Sequence, residues 1–270
     1  MLSSLNSGVS GLQQMQQEMD VIGNNIANVN TIGYKSSRSD FEDALSQSVG
    51  SSGAGNPMQV GTGVTTGSIS TDFGQGAESS TGKDTDFAIK GDGYFVVRDT
   101  TTNNLYATRA GNFLVDNNGY LVTQSGMRVQ GFSDAGLTTR GDVKIDNNGS
   151  ATSMTGYSFK DDGTVTVTLD NAPSIVRGQI LLQDFSSPEA LVNAGSNLYS
   201  GLTNAGPLSQ TTAPKTTGLG SLQSGYLEAS NVDLANEFAT MITTQRGFQA
   251  NARTVTTSDE ILQELVNLKR

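Results

Sequence analysis

Apolar side chains recur every three or four residues along the start of the chain: Leu5, Val9, Leu12, Met15, Met19, Ile22, Ile26 and Val29. That spacing gathers them on one stripe of an α-helix, with Gln13, Gln14, Gln17, Glu18, Asn24 and Asn28 on the other side. A helix of about 28 residues is about 42 Å long at ~1.5 Å per residue, more than a compact domain of this size uses. Gly33, followed by Tyr34 and Lys35, is expected to end the helix or turn the chain out of it. The same spacing returns at the other end in Leu234, Phe238, Met241, Gln245, Phe248, Ala252, Val255, Leu262 and Val266. Ser230 or Asn231 is placed to cap this second helix, with Asp233 and Glu237 near the positive end of its dipole. Two such stripes suit an antiparallel pair and an ordinary helical hairpin equally well; periodicity alone does not choose.

Between the ends the pattern changes to alternation and turn signals. Asp116-Asn117-Asn118-Gly119 separates Asn112-Phe113-Leu114-Val115 from Tyr120-Leu121-Val122, which predicts a hairpin. Phe87-Ala88-Ile89 and Tyr94-Phe95-Val96-Val97 flank Lys90-Gly91-Asp92-Gly93 as strand, turn and strand. Asp161-Asp162-Gly163 precedes a strand over 164–169, and 178–185 is a further strand. Residues 46–63 and 202–220, rich in Gly, Ser, Thr and Pro and without periodicity, read as extended connectors.

Composition narrows the chemistry. The 270 residues suffice for a hydrophobic core, yet only 35% are apolar and 16% charged, with 32 glycines, a mixture suited to short strands and polar surfaces. A formal charge of -10 without a Lys/Arg cluster argues against nucleic acid or an anionic membrane as partner. Cys, His and Trp are absent, which removes thiol nucleophiles, the usual zinc ligands and Ser-His-Asp relays. The N-terminus shows neither the basic start nor the apolar run of a secretory signal, and no stretch approaches the ~20 apolar residues of a membrane span, so no membrane insertion is expected.

The remaining motifs read as turns. Asp-Asn-Asn-Gly begins at Asp116 and again at Asp146, but a calcium loop needs an acidic twelfth residue where the chain has Met127 and Tyr157. The Gly61-Thr62-Gly63 and Gly91-Asp92-Gly93 pairs lead into neither a dinucleotide fingerprint nor a phosphate-binding Lys. Asp84 with Asp86, and Asp161 with Asp162, are carboxylate pairs that nothing in the spacing selects for glycosidase work. No catalytic, cofactor-binding or metal-binding residue is assigned.

The run Asp20-Val21-Ile22-Gly23-Asn24-Asn25-Ile26-Ala27-Asn28-Val29-Asn30-Thr31-Ile32-Gly33-Tyr34-Lys35 resembles the N-terminal signature of the bacterial flagellar axial family, the rod and hook proteins. Gly225-Tyr226-Leu227-Glu228-Ala229-Ser230-Asn231, continued through Gln245-Arg246-Gly247-Phe248-Gln249-Ala250-Asn251, is similar to its C-terminal signature. Gly91-Asp92-Gly93-Tyr94-Phe95 and Thr108-Arg109-Ala110-Gly111-Asn112-Phe113 resemble its β domain, while 133–170 carries no such motif. Within the family, the 244–251 and 126–132 segments look more like hook subunits, whereas the chain length is closer to that of the distal rod.

The resemblance implies an α+β fold with long N- and C-terminal helices paired as an antiparallel coiled coil and a central mainly-β domain. The expected boundaries are 1–34 with 228–270 for the helical domain, 35–84 and 200–227 for connectors, and 85–199 for the β domain. It further implies a structural subunit of the hook, or alternatively of the distal rod, that polymerises into a hollow tube and is not an enzyme. Its partners would be further copies of itself, other axial proteins (rod, hook cap and hook–filament junction) and the flagellar type III export apparatus; its place would be the hook or the basal body. Leu5, Leu12, Ile22, Ile26, Phe238, Met241, Phe248 and Leu262 are the expected assembly residues. A coiled-coil oligomeric binding module is the competing class.

Overall fold

The computed structural model describes residues 2–51, 57–146, 153–170, 172–207, 211–216 and 218–268. The chain folds as two compact units, a helical unit of Met1–Val29, Ser36–Asp72 and Val232–Arg270 and a sheet unit of Asn30–Lys35 and Phe73–Asn231. The class is α+β, with a mainly-β centre and terminal helices.

In the helical unit, helix α1 spans Leu2–Ala27, strands β1 to β4 span Ser37–Asp43, Ser46–Ser51, Pro57–Gly61 and Val64–Thr71, and helix α2 spans Leu234–Leu268. Residues read as a connector from 35 onward thus carry two ladders, β1 with β4 and β2 with β3, both antiparallel. Helix α1 stops at Ala27, six residues short of Gly33. Its end is closed by Asn28, whose backbone N–H and side-chain Nδ2 both donate to Asn24 O, at 3.1 and 2.9 Å. The α2 cap is Asp233 and not Ser230 or Asn231: its Oδ1 accepts from Ala235 N at 2.9 Å. A carboxylate there also meets the helix dipole with the favourable sign.

The sheet unit holds β5 (Glu78–Ser80), β6 (Phe87–Lys90), β7 (Tyr94–Arg98), β8 (Leu105–Thr108), β9 (Leu114–Val115), β10 (Leu121–Val122), β11 (Arg128–Phe132) and β12 (Arg140–Asp142). It continues with β13 (Met154–Phe159), β14 (Thr164–Leu169), β15 (Ala172–Ile180), β16 (Leu182–Gln183), β17 (Val192–Gly195), β18 (Leu198–Ser200), β19 (Ser221–Ser224) and β20 (Tyr226–Glu228). The main sheet runs β13-β14-β15-β11-β7-β8-β18-β17, and β6 pairs with β19 and β5 with β20 as separate ladders. Inward-facing Phe87, Phe95, Phe113, Leu121, Val129, Val165, Val167, Ile180 and Leu182 form the core. Phe95 and Phe113 meet edge to face at 5.1 Å, as do Phe87 and Phe159 at 4.7 Å.

The hairpin at Asp116 is present, with Leu121 opposite Val115 and Val122 opposite Leu114. Gly119 takes φ +82° while Asn118 keeps negative φ, and Gly119 N donates to Asp116 O at 2.8 Å. The turn therefore uses one left-handed residue, and glycine supplies it. The second Asp-Asn-Asn-Gly motif lies outside the described residues from 147 onward. Strands over 87–89 and 94–97 form as expected but do not pair with each other; β6 joins β19, some 130 residues away in the chain, and β7 joins β8, β11 and β16. The strand read over 178–185 is interrupted at Leu181, between β15 and β16.

Candidate assembly interface

The helical unit is built on a seam in which small and polar residues stand beside larger apolar ones. An ideal Cβ on Gly8 would stand 2.9 Å from Val255 Cγ2, one on Gly11 2.6 Å from Asn251 Nδ2, and one on Gly247 3.2 Å from Met15 Sδ. Asn25 Nδ2 donates to Glu237 Oε1 at 2.9 Å. Partner numbers on α2 thus fall as those on α1 rise. Along α2 the covered positions are 237, 241, 244, 247, 248, 251, 252, 255, 258 and 262, and the rest from 234 to 268 are exposed. Steps of four and three through 237, 241, 244, 248, 251, 255, 258 and 262 are a heptad repeat. The buried hydroxyls of Thr244 and Ser258 bond to carbonyls of their own helix, Thr240 O and Thr254 O, so they enter the seam without an unmet donor.

A second side of α1 faces β4. Thr66 Oγ1 lies within hydrogen-bond distance of Gln14 Oε1 and, at 2.7 Å, of Gln17 Oε1, and Ser10 Oγ accepts from Val64 N at 3.3 Å. Two of the glutamines on the side opposite the apolar stripe are therefore contact residues of a strand.

Of the eight expected assembly residues, only Ile22 is fully buried, and Leu5, Leu12, Ile26, Met241, Phe248 and Leu262 are half-buried. Phe238 is 49% exposed, in a row with Leu234 and Ile242 at intervals of four that places three large apolar side chains on one outward face of α2. Val9, Ile261 and Leu265 are exposed as well. Ile242 was not among the expected residues, although its position one step beyond Phe238 could have found it.

The sheet unit contains a buried charge cluster that sequence reasoning gave no role. Lys35 Nζ donates to Glu228 Oε1 at 2.6 Å and to Gly74 O at 2.7 Å; both side chains are 0% exposed. Gly76 N donates to the same carboxylate at 2.9 Å, and Arg109 Nη1 reaches its other oxygen at 3.4 Å. The Arg109 guanidinium lies 4.9 Å from the centre of the Tyr94 ring. Burial pushes the Tyr94 hydroxyl up to about 12 against the lowering effect of Arg109. Gly33, at φ +66°, sits where a Cβ would meet Ala110 N at 2.7 Å, and its N–H donates to Glu228 O at 2.9 Å. The signature glycine is thus needed for close approach to the 109–110 backbone and not for capping a helix.

Most of these groups are met by one another, and Arg109 Nε is buried without a hydrogen-bond partner. Asp86, a carboxylate of one considered pair, accepts from Thr81 Oγ1 at 2.7 Å, and Asp162 Oδ1 accepts from Thr164 N at 2.9 Å within the turn between β13 and β14. Among the described residues no group of three or more His, Cys, Asp and Glu could hold a metal ion, and no helix is long and apolar enough to cross a membrane.

Comparison with known proteins matches residues 5–35 to the family described as flagella basal body rod protein. Residues 88–167 match the flagellar hook protein FlgE/F/G D1 domain, and residues 223–268 the flagellar basal body rod FlgEFG protein C-terminal family. The chain is 46% identical over 277 residues to the flagellar basal-body rod protein FlgG of Bacillus subtilis, with 100% of both covered. It is 36% identical over 278 residues to that of Caulobacter vibrioides, covering 99% of this chain and 100% of the relative. The flagellar hook protein FlgE of Borreliella burgdorferi is 28% identical over an alignment of 444 residues, again covering 100% of both.

Proposed function

This chain belongs to the family of flagellar rod and hook proteins, and from that premise we propose that it is a subunit of the basal-body rod, polymerising through its terminal helices into a hollow helical shaft. The observation that carries the choice of rod is length. The two rod relatives align over 277 and 278 residues, whereas the alignment with the hook protein runs to 444. The hook is the second reading, favoured by the 244–251 and 126–132 segments, which look more like hook subunits.

In this reading α1 and α2 form an antiparallel coiled coil, supported by contacts of residues 8, 11, 15 and 25 with 255, 251, 247 and 237. The seam combines Gly, Thr, Ser and Asn with half-buried Met241, Phe248, Val255 and Leu262, which leaves part of the apolar surface of both helices for neighbouring copies. Phe238, extended by Leu234 and Ile242, faces those copies, Leu5, Leu12 and Ile26 meet them with the surface they leave exposed, and Met241, Phe248 and Leu262 act from the seam, where they hold the pair together with Ile22. A head-to-tail contact that does not close into a ring propagates as a filament. Other axial proteins continue the shaft at its ends, and the chain reaches it through the flagellar type III export apparatus.

Immunogold electron microscopy of isolated hook–basal bodies, with antibody to the sheet unit, tests position. Label confined to the straight shaft is the expected result; label along the curved external segment would replace rod by hook. No label from a competent antibody would overturn both.

A further inference from the structure

We infer that Asn25 is a positioning residue that fixes the register of α2 against α1, and with it which apolar side chains α2 turns outward. The α1–α2 seam by itself selects register weakly. Its α2 positions one heptad apart are chemically alike, Thr244, Asn251 and Ser258 on one side and Met241, Phe248, Val255 and Leu262 on the other, so a slide of seven residues sets seam on seam again. Such a slide moves α2 by about 10 Å at ~1.5 Å per residue.

Asn25 breaks this near-equivalence. Its side chain is buried, with 2% exposure, and its amide is used on three counts. Oδ1 accepts from Ser37 N at 3.0 Å and Nδ2 donates to Ser37 O at 2.8 Å, which anchors the amide to the main chain at the start of β1. With the amide so oriented, the second N–H points to Glu237 Oε1 at 2.9 Å. Only an uncharged amide supplies one acceptor and two donors in this arrangement. Glu237 has no equivalent one heptad along: Thr244 is short, and its hydroxyl is already engaged with Thr240 O. A slid α2 would leave a buried donor of Asn25 unmet, a cost that a wholly apolar seam would not carry.

The consequence for assembly rests on the rod reading above; the register itself does not, and the test separates them. The chain has no Cys, so engineered pairs report without background. In the full-length chain, Gly11→Cys with Asn251→Cys is expected to oxidise to a disulfide, and Gly11→Cys with Ser258→Cys or with Thr244→Cys is not. Adding Asn25→Leu should raise a slid pair relative to the in-register pair by roughly tenfold, the ratio that one lost polar contact gives, with helicity by circular dichroism retained. Asn25→Ala serves if the Leu variant fails to fold, and Glu237→Gln, which keeps an acceptor, should hold the register. In-register disulfides alone in both Asn25→Leu and Asn25→Ala, or equal disulfides from all three pairs in the parent, would overturn the inference. A parent that cross-links in register yet fails to sediment as polymer would leave it standing and count against the rod.

Discussion

Glu228 is a carboxylate with no access to solvent, held by two buried cations from distant parts of the chain, Lys35 and Arg109. Breaking a buried ion pair on one side leaves uncompensated charge, which costs far more than the intact pair is worth. Glu228→Gln is therefore expected to destabilise the fold by about 3–5 kcal/mol, read as a lowered midpoint in urea at unchanged slope. Asp142 makes a different case. Its burial raises its pKa, but hydrogen bonds from Arg98, Gln130 and Arg128 outweigh that and hold the carboxyl below the usual carboxylate range. A carboxylate depressed on folding contributes stability that is complete above its unfolded value, ~3.9, and is lost as pH falls through the folded one. Asp142→Asn should thus be less stable than the parent at neutral pH, with the gap closing below about pH 4 in a series of melts against pH.

Helix α1 approaches α2 closely because Gly8 and Gly11 present no side chain there. Gly11→Leu adds volume where a Cβ alone would already stand 2.6 Å from Asn251 Nδ2, so overpacking should cost about 1–3 kcal/mol, measured by thermal melting followed at 222 nm. This seam was also what hydrophobic periodicity could not display. Both helices were legible from their apolar spacing, which also marked Met241, Phe248, Val255 and Leu262 on the covered side of α2, but the rest of the contact surface is drawn in Gly8, Gly11, Thr244, Gly247, Asn251 and Ser258, which such a pattern passes over. The apolar stripe also took in residues that face outward, Phe238 most clearly. In the sheet unit, alternation located β6, β7, β14 and the Asp116 hairpin. Pairing was hidden because period two identifies strands and not their neighbours, and β6 with β19 is a long-range match. The Lys35 and Glu228 cluster joins residues 193 apart, and each alone reads as an ordinary surface charge.

At the scale of the whole molecule, the subunit keeps its aromatic and aliphatic core in the sheet unit and carries exposed apolar surface on its helices. Leu234, Phe238 and Ile242 are 39%, 49% and 53% exposed and follow one another at intervals of four on one face of α2. An exposed patch of this kind marks an interaction site, and in an axial subunit a second copy is its natural occupant. The most direct measurement is electron microscopy with sedimentation of the purified full-length chain, parent against the double variant Phe238→Asp with Ile242→Asp, both side chains being exposed so that the single subunit keeps its fold. The parent is expected to form open-ended polymers and the variant to remain monomeric with an unchanged circular dichroism spectrum. A parent that stops at a closed oligomer of fixed mass, or a variant that grows polymers of parental length, would contradict the account.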